Sequence, residues 1–285
     1  MRIAVLGSRG QLGAAIVHEC SPHHDVTAFD HAALDITDPI QLAATIERVA
    51  PDAIINCAGD NRVDDAEDRP VEALQANAFA VRTLARAARS RGAILVHYSS
   101  DFVFDGTSER PYTEADRPNP RGVYATSKML GEWFAADAPR GYLLRVESLF
   151  GRAPGSGPEK GSAAVILAAL RSGAVAKVFE DRTVSPTYVL DAAHATRTIV
   201  ERGLPPGLYH CVSSGHCTWL EFAREAAQLM NIGEPKLQPI RLAELKLKAP
   251  RPLYCALSNE KLRAAGVEMP DWRDALRRYL RASVR

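Results

Sequence analysis

The amino terminus places the tightest constraint on the fold. An apolar run, Arg2-Ile3-Ala4-Val5-Leu6, passes directly into Gly7-Ser8-Arg9-Gly10-Gln11-Leu12-Gly13, after which Leu12, Ile16, Val17 and Cys20 recur at helical spacing. A strand that turns at once into a helix needs glycine where the turn is tight, where backbone approaches a ligand, and where helix packs on strand. The helix start also presents N–H groups and a partial positive charge to phosphates. A glycine triplet alone is weak; at the head of an alternating chain, between strand and helix, it points to a dinucleotide site.

The alternation continues. Residues 25–29 read as a second strand ending at Asp30, which is placed either to accept from adenosine ribose hydroxyls or to close a turn. Asp35-Ile36 follows, and Asp38-Pro39 reads as the N-cap and first residue of a helix to Val49. Residues 52–59 form a third strand ending Asn56-Cys57-Ala58-Gly59, small enough for a cofactor to lie on the backbone. The acidic stretch Asp64-Asp65-Ala66-Glu67 leads into a long helix to Arg91 that contains Asn77, and residues 94–101 and 142–150 form the fourth and fifth strands. The pattern predicts an α/β fold: a Rossmann-like doubly wound parallel sheet with a smaller, mostly carboxyl-terminal lobe. Residues 1–150 are expected to bind dinucleotide, with a later segment, about 183–212, returning to that domain. Residues 151–182 and 213–285 are expected to make the substrate-binding lobe. Helical patterns at 163–171 and 188–201 flank a strand at 175–179, a further strand spans 207–212, and Thr218 caps a helix to Met230. Short helices at 242–247, 258–265 and 271–280 complete the chain. Residues 151–161 contain four Gly and two Pro without apolar periodicity, which predicts a loop that orders when substrate binds.

With 285 residues, 46% of them hydrophobic and 24% charged, the chain buries a full core. A formal net charge of +1 provides no basic field for nucleic acid. No apolar run approaches the ~20 residues of a membrane span, and the glycine turn comes too early for a signal peptide. The five Cys form no C-x-x-C pair, which predicts reduced structural thiols and a cytoplasmic location.

Ser100 ends the fourth strand, where open parallel sheets place ligands. Tyr124 and Lys128 lie four apart on a helical pattern and share a face. A phenol with a pKa near ~10 exchanges its proton poorly at neutral pH, and an ammonium one turn away lowers that pKa. In isolation Tyr-x-x-x-Lys is read first as an exposed helix face with a solvated Lys. Ser100 upstream and the glycines at the amino terminus give it a catalytic reading.

With these residues placed, the chain resembles the extended short-chain dehydrogenase/reductases, and among them the dTDP-4-dehydrorhamnose reductase family. The resemblance covers nearly the whole length and rests on Gly7-x-x-Gly10-Gln11-Leu12-Gly13, Asp64-x-Ala66-Glu67, Tyr98-Ser99-Ser100-Asp101-Phe102-Val103-Phe104-x-Gly106 and Tyr124-x-x-x-Lys128. Gly207-Leu208-Tyr209-His210, Arg251-Pro252 and Met269-Pro270-Asp271-Trp272 extend it. It implies that Ser100, Tyr124 and Lys128 are catalytic. It implies a cofactor site of Gly7, Arg9, Gly10, Gln11, Leu12, Gly13, Asp30, Asp35, Ile36, Ala58, Gly59, Asn77 and Ser99, with Tyr124 and Lys128. Substrate is assigned to Val63, Asp64, Asp101, Phe102 and Arg251, where the Arg251 guanidinium either grips a diphosphate or forms a surface salt bridge. The reductant implied is NADP(H), with NAD(H) as the alternative. The substrate implied is a nucleotide-activated 6-deoxyhexose reduced at its C4 ketone, dTDP-4-dehydro-L-rhamnose to dTDP-L-rhamnose. A homodimer is compatible with the resemblance.

The chain departs from that pattern at several places. Phe102 replaces the usual Tyr, Ser148 stands where many members carry Trp, and Cys255 stands where Ser is common. Ala15 occupies a place where some members have an acidic residue linked to Mg²⁺ and dimer formation, so no metal is assigned. Two rival readings remain: a sugar-nucleotide epimerase or dehydratase on the same fold, and a non-catalytic dinucleotide-binding regulatory subunit. A dehydratase needs a further acid/base pair near Ser100, and the local sequence offers only Asp101.

Overall fold

The computed structural model describes residues 1–282. Its centre is a six-stranded sheet built from β1 (Arg2–Leu6), β2 (Asp25–Phe29), β3 (Ala53–Asn56), β4 (Ile94–Ser100), β5 (Gly141–Val146) and β6 (Gly207–His210), in the order β6-β5-β4-β3-β1-β2. All neighbouring pairs are parallel. β1, β3, β4 and β5 are apolar and buried for most of their length, as strands covered by helices on both faces must be. Helices α1 (Gln11–Cys20), α2 (Pro39–Val49), α3 (Ala80–Arg91), α4 (Val123–Ala135), α5 (Ser162–Ser172), α6 (Val189–Arg202), α7 (Trp219–Leu229) and α8 (Trp272–Ala282) cover the sheet and build the smaller lobe. The strand order reverses at β1, with β2 on one side and β3 on the other, so a crevice opens beyond their carboxyl ends.

Several elements follow from local chemistry. Asp38 caps α2 by accepting from the Ile40 and Gln41 amides, with Pro39 at the first helical position. Thr218 and Glu221 close a capping box on α7. The five cysteines are free. β6 lies beside β5 and α6 packs on α1, so this late stretch of chain rejoins the sheet.

Three expectations are corrected, and one expected strand finds its partner outside the main sheet. The long helix to Arg91 is broken into Asp65–Asp68, Pro70–Leu74, a π-helical turn Gln75–Phe79, and α3. Pro70 has no N–H to continue the first piece. The π turn brings the Asn77 carbonyl so near α4 that a Cβ on Gly131 would sit 2.2 Å from it. The strand expected at 142–150 stops at Val146 and resumes as Leu149–Phe150, because Ser148 takes a left-handed backbone conformation with φ 45°. Ala176–Phe179 does form a strand, but it pairs with Leu237–Ile240 outside the main sheet. The helix expected at 242–247 is a single 3₁₀ turn, Leu242–Glu244.

Candidate active site

The glycine turn is shaped by contacts that exclude a side chain. Gly7 has φ 75°, and a Cβ there would lie 2.7 Å from the Ala58 amide nitrogen; on Gly13 it would lie 2.1 Å from the Gly7 carbonyl oxygen. The close packing of β1 against β3 and α1 therefore depends on both glycines. Beyond this turn lie two adjoining cavities. One, of about 690 Å³, is lined by Gly7, Arg9, Gly10, Asp30, Asp35, Ile36, Ala58 and Gly59, with Arg62 and Lys160. The other, of about 540 Å³, runs from Gly10, Gln11, Leu12 and Gly13 past Ala58 and Gly59 to Ser99, Ser100, Asp101, Phe102, Tyr124 and Lys128.

The donors and apolar walls fit a dinucleotide. The crevice sits at the reversal of strand order, the bare glycine backbone leaves room for a pyrophosphate, and Lys160 faces both cavities. The hydroxyl of Ser99 is buried in the second cavity with no partner among the described residues, as a group awaiting a polar ligand would be. Arg9 and Asp30, both assigned to the cofactor site, form an ion pair at 3.1 Å, with Arg9 79% and Asp30 22% exposed. Asp35 accepts from the amide and hydroxyl of Thr37 at 2.9 and 2.8 Å, and these bonds hold its carboxyl below the usual range. Arg9→Ala is expected to weaken NADPH binding about fivefold relative to NADH, because a 2′-phosphate loses its exposed cation. Titration of both cofactors checks this, and an equal change for both removes the assignment.

The catalytic candidates meet in the second cavity. Ser100 Oγ donates to Asp101 Oδ1 at 2.8 Å and accepts from the Phe102 amide at 3.2 Å. The Tyr124 hydroxyl lies 3.5 Å from Asn61 Oδ1, and its ring meets Phe102 edge-on at 5.4 Å. Lys128 Nζ donates to the Tyr98 carbonyl at 2.6 Å. The expected effect of Lys128 on the phenol is not what governs it here. Burial pushes the Tyr124 pKa up, opposed by the neighbouring Ser100 hydroxyl and reinforced by the charges of Asp101 and Asp60. Burial also pushes Lys128 down to about 8, with Glu132 opposing.

Other assigned residues stand behind this wall rather than in it. Asn77 binds the Asp60 backbone through both ends of its amide, at 2.9 Å each, and donates to Ser127 Oγ at 3.0 Å; it shapes the loop at Gly59 and does not line either cavity. Val63 packs in a small cluster with Ala66, Ala73, Tyr124 and Phe102. Asp64 accepts from the Lys248 and Ala249 amides and pairs with Arg251 at 2.7 Å, and the Arg251 guanidinium sits 5.8 Å from the Phe102 ring. This pair ties the carboxyl-terminal lobe to the active-site wall. Glu67 accepts from the Val123 amide at 2.8 Å and so fixes the start of α4, one residue before Tyr124. Ala15 is fully buried in the core and offers no ligand at the place where a metal was considered.

Residues 151–161 are tied to the glycine turn, and Gly157, Pro158, Lys160 and Gly161 also line the second cavity. The Gly157 amide donates to the Arg9 carbonyl at 3.0 Å, Gln11 Nε2 donates to the Gly151 carbonyl at 2.9 Å, and Tyr279 donates to Glu159. The ordering ligand is therefore expected to be the dinucleotide. Hydrogen exchange across 151–161 should slow with cofactor alone; slowing only after a sugar nucleotide is added restores the original expectation.

A parallel doubly wound sheet with a glycine turn at this crevice defines a dinucleotide-binding Rossmann fold. The family described as RmlD substrate binding domain matches residues 1–285, and the chain belongs to it. It is 34% identical over 284 residues to a probable dTDP-4,6-dihydroxy-2-methyloxan-3-one 4-ketoreductase of Streptomyces antibioticus, covering 97% of this chain and 94% of that one. It is 33% identical over 290 residues to the dTDP-4-dehydrorhamnose reductase of Mycobacterium tuberculosis, covering 99% and 93%. The crystal structure of a Bacillus anthracis dTDP-4-dehydrorhamnose reductase in complex with NADP superimposes with a TM-score of 0.91 at 30% identity, covering 99% of both chains.

Proposed function

We infer that the protein is an NADPH-dependent 4-ketoreductase of a dTDP-activated 6-deoxyhexose, with dTDP-4-dehydro-L-rhamnose as substrate. The observation that carries this reading is one continuous cavity that runs from the glycine turn to Ser100, Tyr124 and Lys128. Full-length kinship to relatives named as dTDP-sugar 4-ketoreductases supports the substrate class.

The bound nicotinamide supplies a hydride to the carbonyl carbon. Ser100 donates to the carbonyl oxygen as charge develops on it, and Tyr124 gives that oxygen its proton. Burial keeps the phenol in its proton-bearing form, the form this direction needs, while making that proton harder to give until charge develops on the carbonyl oxygen. Lys128 holds the nicotinamide ribose and supplies positive charge under Tyr124 as the phenolate forms. Phe102 offers the sugar a ring face in place of a hydroxyl. Residues 151–182 and 213–285 are assigned to the substrate-binding lobe.

Loss of nicotinamide absorbance with a panel of dTDP-, GDP- and UDP-4-ketosugars tests the reading. Turnover is expected with the dTDP sugar. Binding of NADPH with no turnover on any of them makes the chain a regulatory subunit, and turnover without net cofactor consumption makes it an epimerase or dehydratase.

A further inference from the structure

Beneath Ser100 the chain buries a charge cluster drawn from separate segments. Asp101 and Glu147 both line the catalytic cavity and are almost wholly shielded from solvent. One carboxyl oxygen from each, together with Cys255 Sγ, lie within 4.8 Å of one another. Glu147 accepts from the Ser185 amide at 2.6 Å and from Ser148 Oγ at 3.4 Å. Arg182 acts on Asp101, Glu147 and Cys255, and donates to the Cys255 sulfur at 3.4 Å and to the Pro252 carbonyl at 3.1 Å. Tyr124 feels Asp101, while Tyr254 and Cys217 feel Glu147. Burial keeps Cys255 a thiol. Among the described residues Arg182 is thus the cation that faces both carboxyls, and a single shared proton leaves these three groups neutral overall. Burial raises both carboxyls, and the charge of Asp101 raises Glu147 further, in keeping with that state.

The consequence falls on Ser100, whose hydroxyl has one hydrogen to give. An ionised Asp101 takes that hydrogen, an arrangement that the 2.8 Å separation of Ser100 Oγ and Asp101 Oδ1 accommodates. A protonated Asp101 donates to Ser100 Oγ instead, and the serine hydrogen is then free for a substrate carbonyl. We propose that Asp101 and Glu147 form a one-proton switch that sets which way the Ser100 hydroxyl points, and so whether the site can polarise its substrate. Glu147 acts through Asp101 and is a positioning residue. The proposal rests on the carbonyl-polarising role given to Ser100 above.

The sign follows from the active form, which carries the proton: kcat falls as pH rises through the upper apparent pKa of the pair. Glu147→Gln removes the like charge and keeps Arg182, so Asp101 ionises at lower pH. The descending limb should move acidward by about one pH unit or more, with kcat about tenfold lower at neutral pH, while KM and the NADPH Kd stay within about threefold. Asp101→Asn presents an N–H to Ser100 at every pH and should abolish the limb. The measurement is kcat and KM between about pH 6 and about pH 9 for the wild type, both variants and Ser100→Ala, with melting temperatures to verify folding. A Glu147→Gln profile that superimposes on wild type, or drops equally at all pH, overturns the switch. So does a limb that survives in Asp101→Asn, which then belongs to Lys128. Should Glu147→Gln fail to fold, the Asp101→Asn profile decides. Unchanged kcat in Ser100→Ala overturns the role of Ser100 itself; a large loss there with an unmoved limb in Glu147→Gln overturns only the switch.

Discussion

In a Tyr124→Phe variant, kcat for ketosugar reduction falls by about 10²–10⁴-fold while the Kd for NADPH stays within about threefold. The change deletes one oxygen and keeps the ring that packs against Phe102 and the Val63 cluster, so folding and cofactor binding have no reason to change. The developing alkoxide must then take its proton from water. Lys128→Met behaves differently, weakening cofactor binding as well as rate, because its ammonium is assigned to both the ribose and the phenol. Ser100→Ala lowers kcat chiefly, since a bond to the carbonyl oxygen strengthens as charge appears there. Single-turnover rates and cofactor titrations separate the three. A Tyr124→Phe enzyme working at near wild-type rate removes the acid role from this residue and makes Asp101 the first alternative.

The second large effect is on stability. Arg145 and Glu132 form a two-pronged ion pair, at 2.8 and 2.7 Å, with only 2% and 4% of the side chains exposed. The Arg145 guanidinium also lies 4.9 Å from the centre of the Phe104 ring. Arg145→Met leaves a buried carboxylate without its partner and should cost ~3–5 kcal/mol in denaturant unfolding. Adding Glu132→Leu removes that carboxylate and should restore most of the loss. The double variant carries a separate functional penalty. Glu132 sits one turn beyond Lys128 and opposes the burial that pulls its pKa down to about 8. Without that charge Lys128 loses its proton more readily, and cofactor affinity should fall as pH rises past neutral. A single Arg145→Met variant as stable as wild type refutes the stability argument.

The parts of this site that could be read from sequence are those whose signal is local. Gly7, Gly10 and Gly13 occupy one turn, Tyr124 and Lys128 one helical face, and Ser100 the end of one strand, so spacing alone locates them. Asp30 and Ser99 follow from the same strand ends. The cluster beneath Ser100 has no such signal. Asp101, Glu147, Arg182 and Cys255 come from four separate segments, and Glu147 lies beside Ser148, whose left-handed conformation interrupts the strand. The Asp64–Arg251 pair joins distant parts of the chain in the same way, and so showed only as an isolated guanidinium with two readings. Pairing of Ala176–Phe179 with Leu237–Ile240 is likewise a tertiary choice that short apolar runs do not encode.

The strap formed by residues 151–161 has a kinetic consequence. It is fastened at Arg9 and Gln11 on one side and, through Glu159, to Tyr279 in α8 on the other. Several residues of this strap line the crevice assigned to the dinucleotide, so a substitution in α8 that frees Glu159 from Tyr279 is expected to shorten the lifetime of the oxidised cofactor on the enzyme. Turnover under saturating substrate would then report the dwell time of that strap, and changes in α8 far from the sugar would register as changes in how fast the enzyme resets.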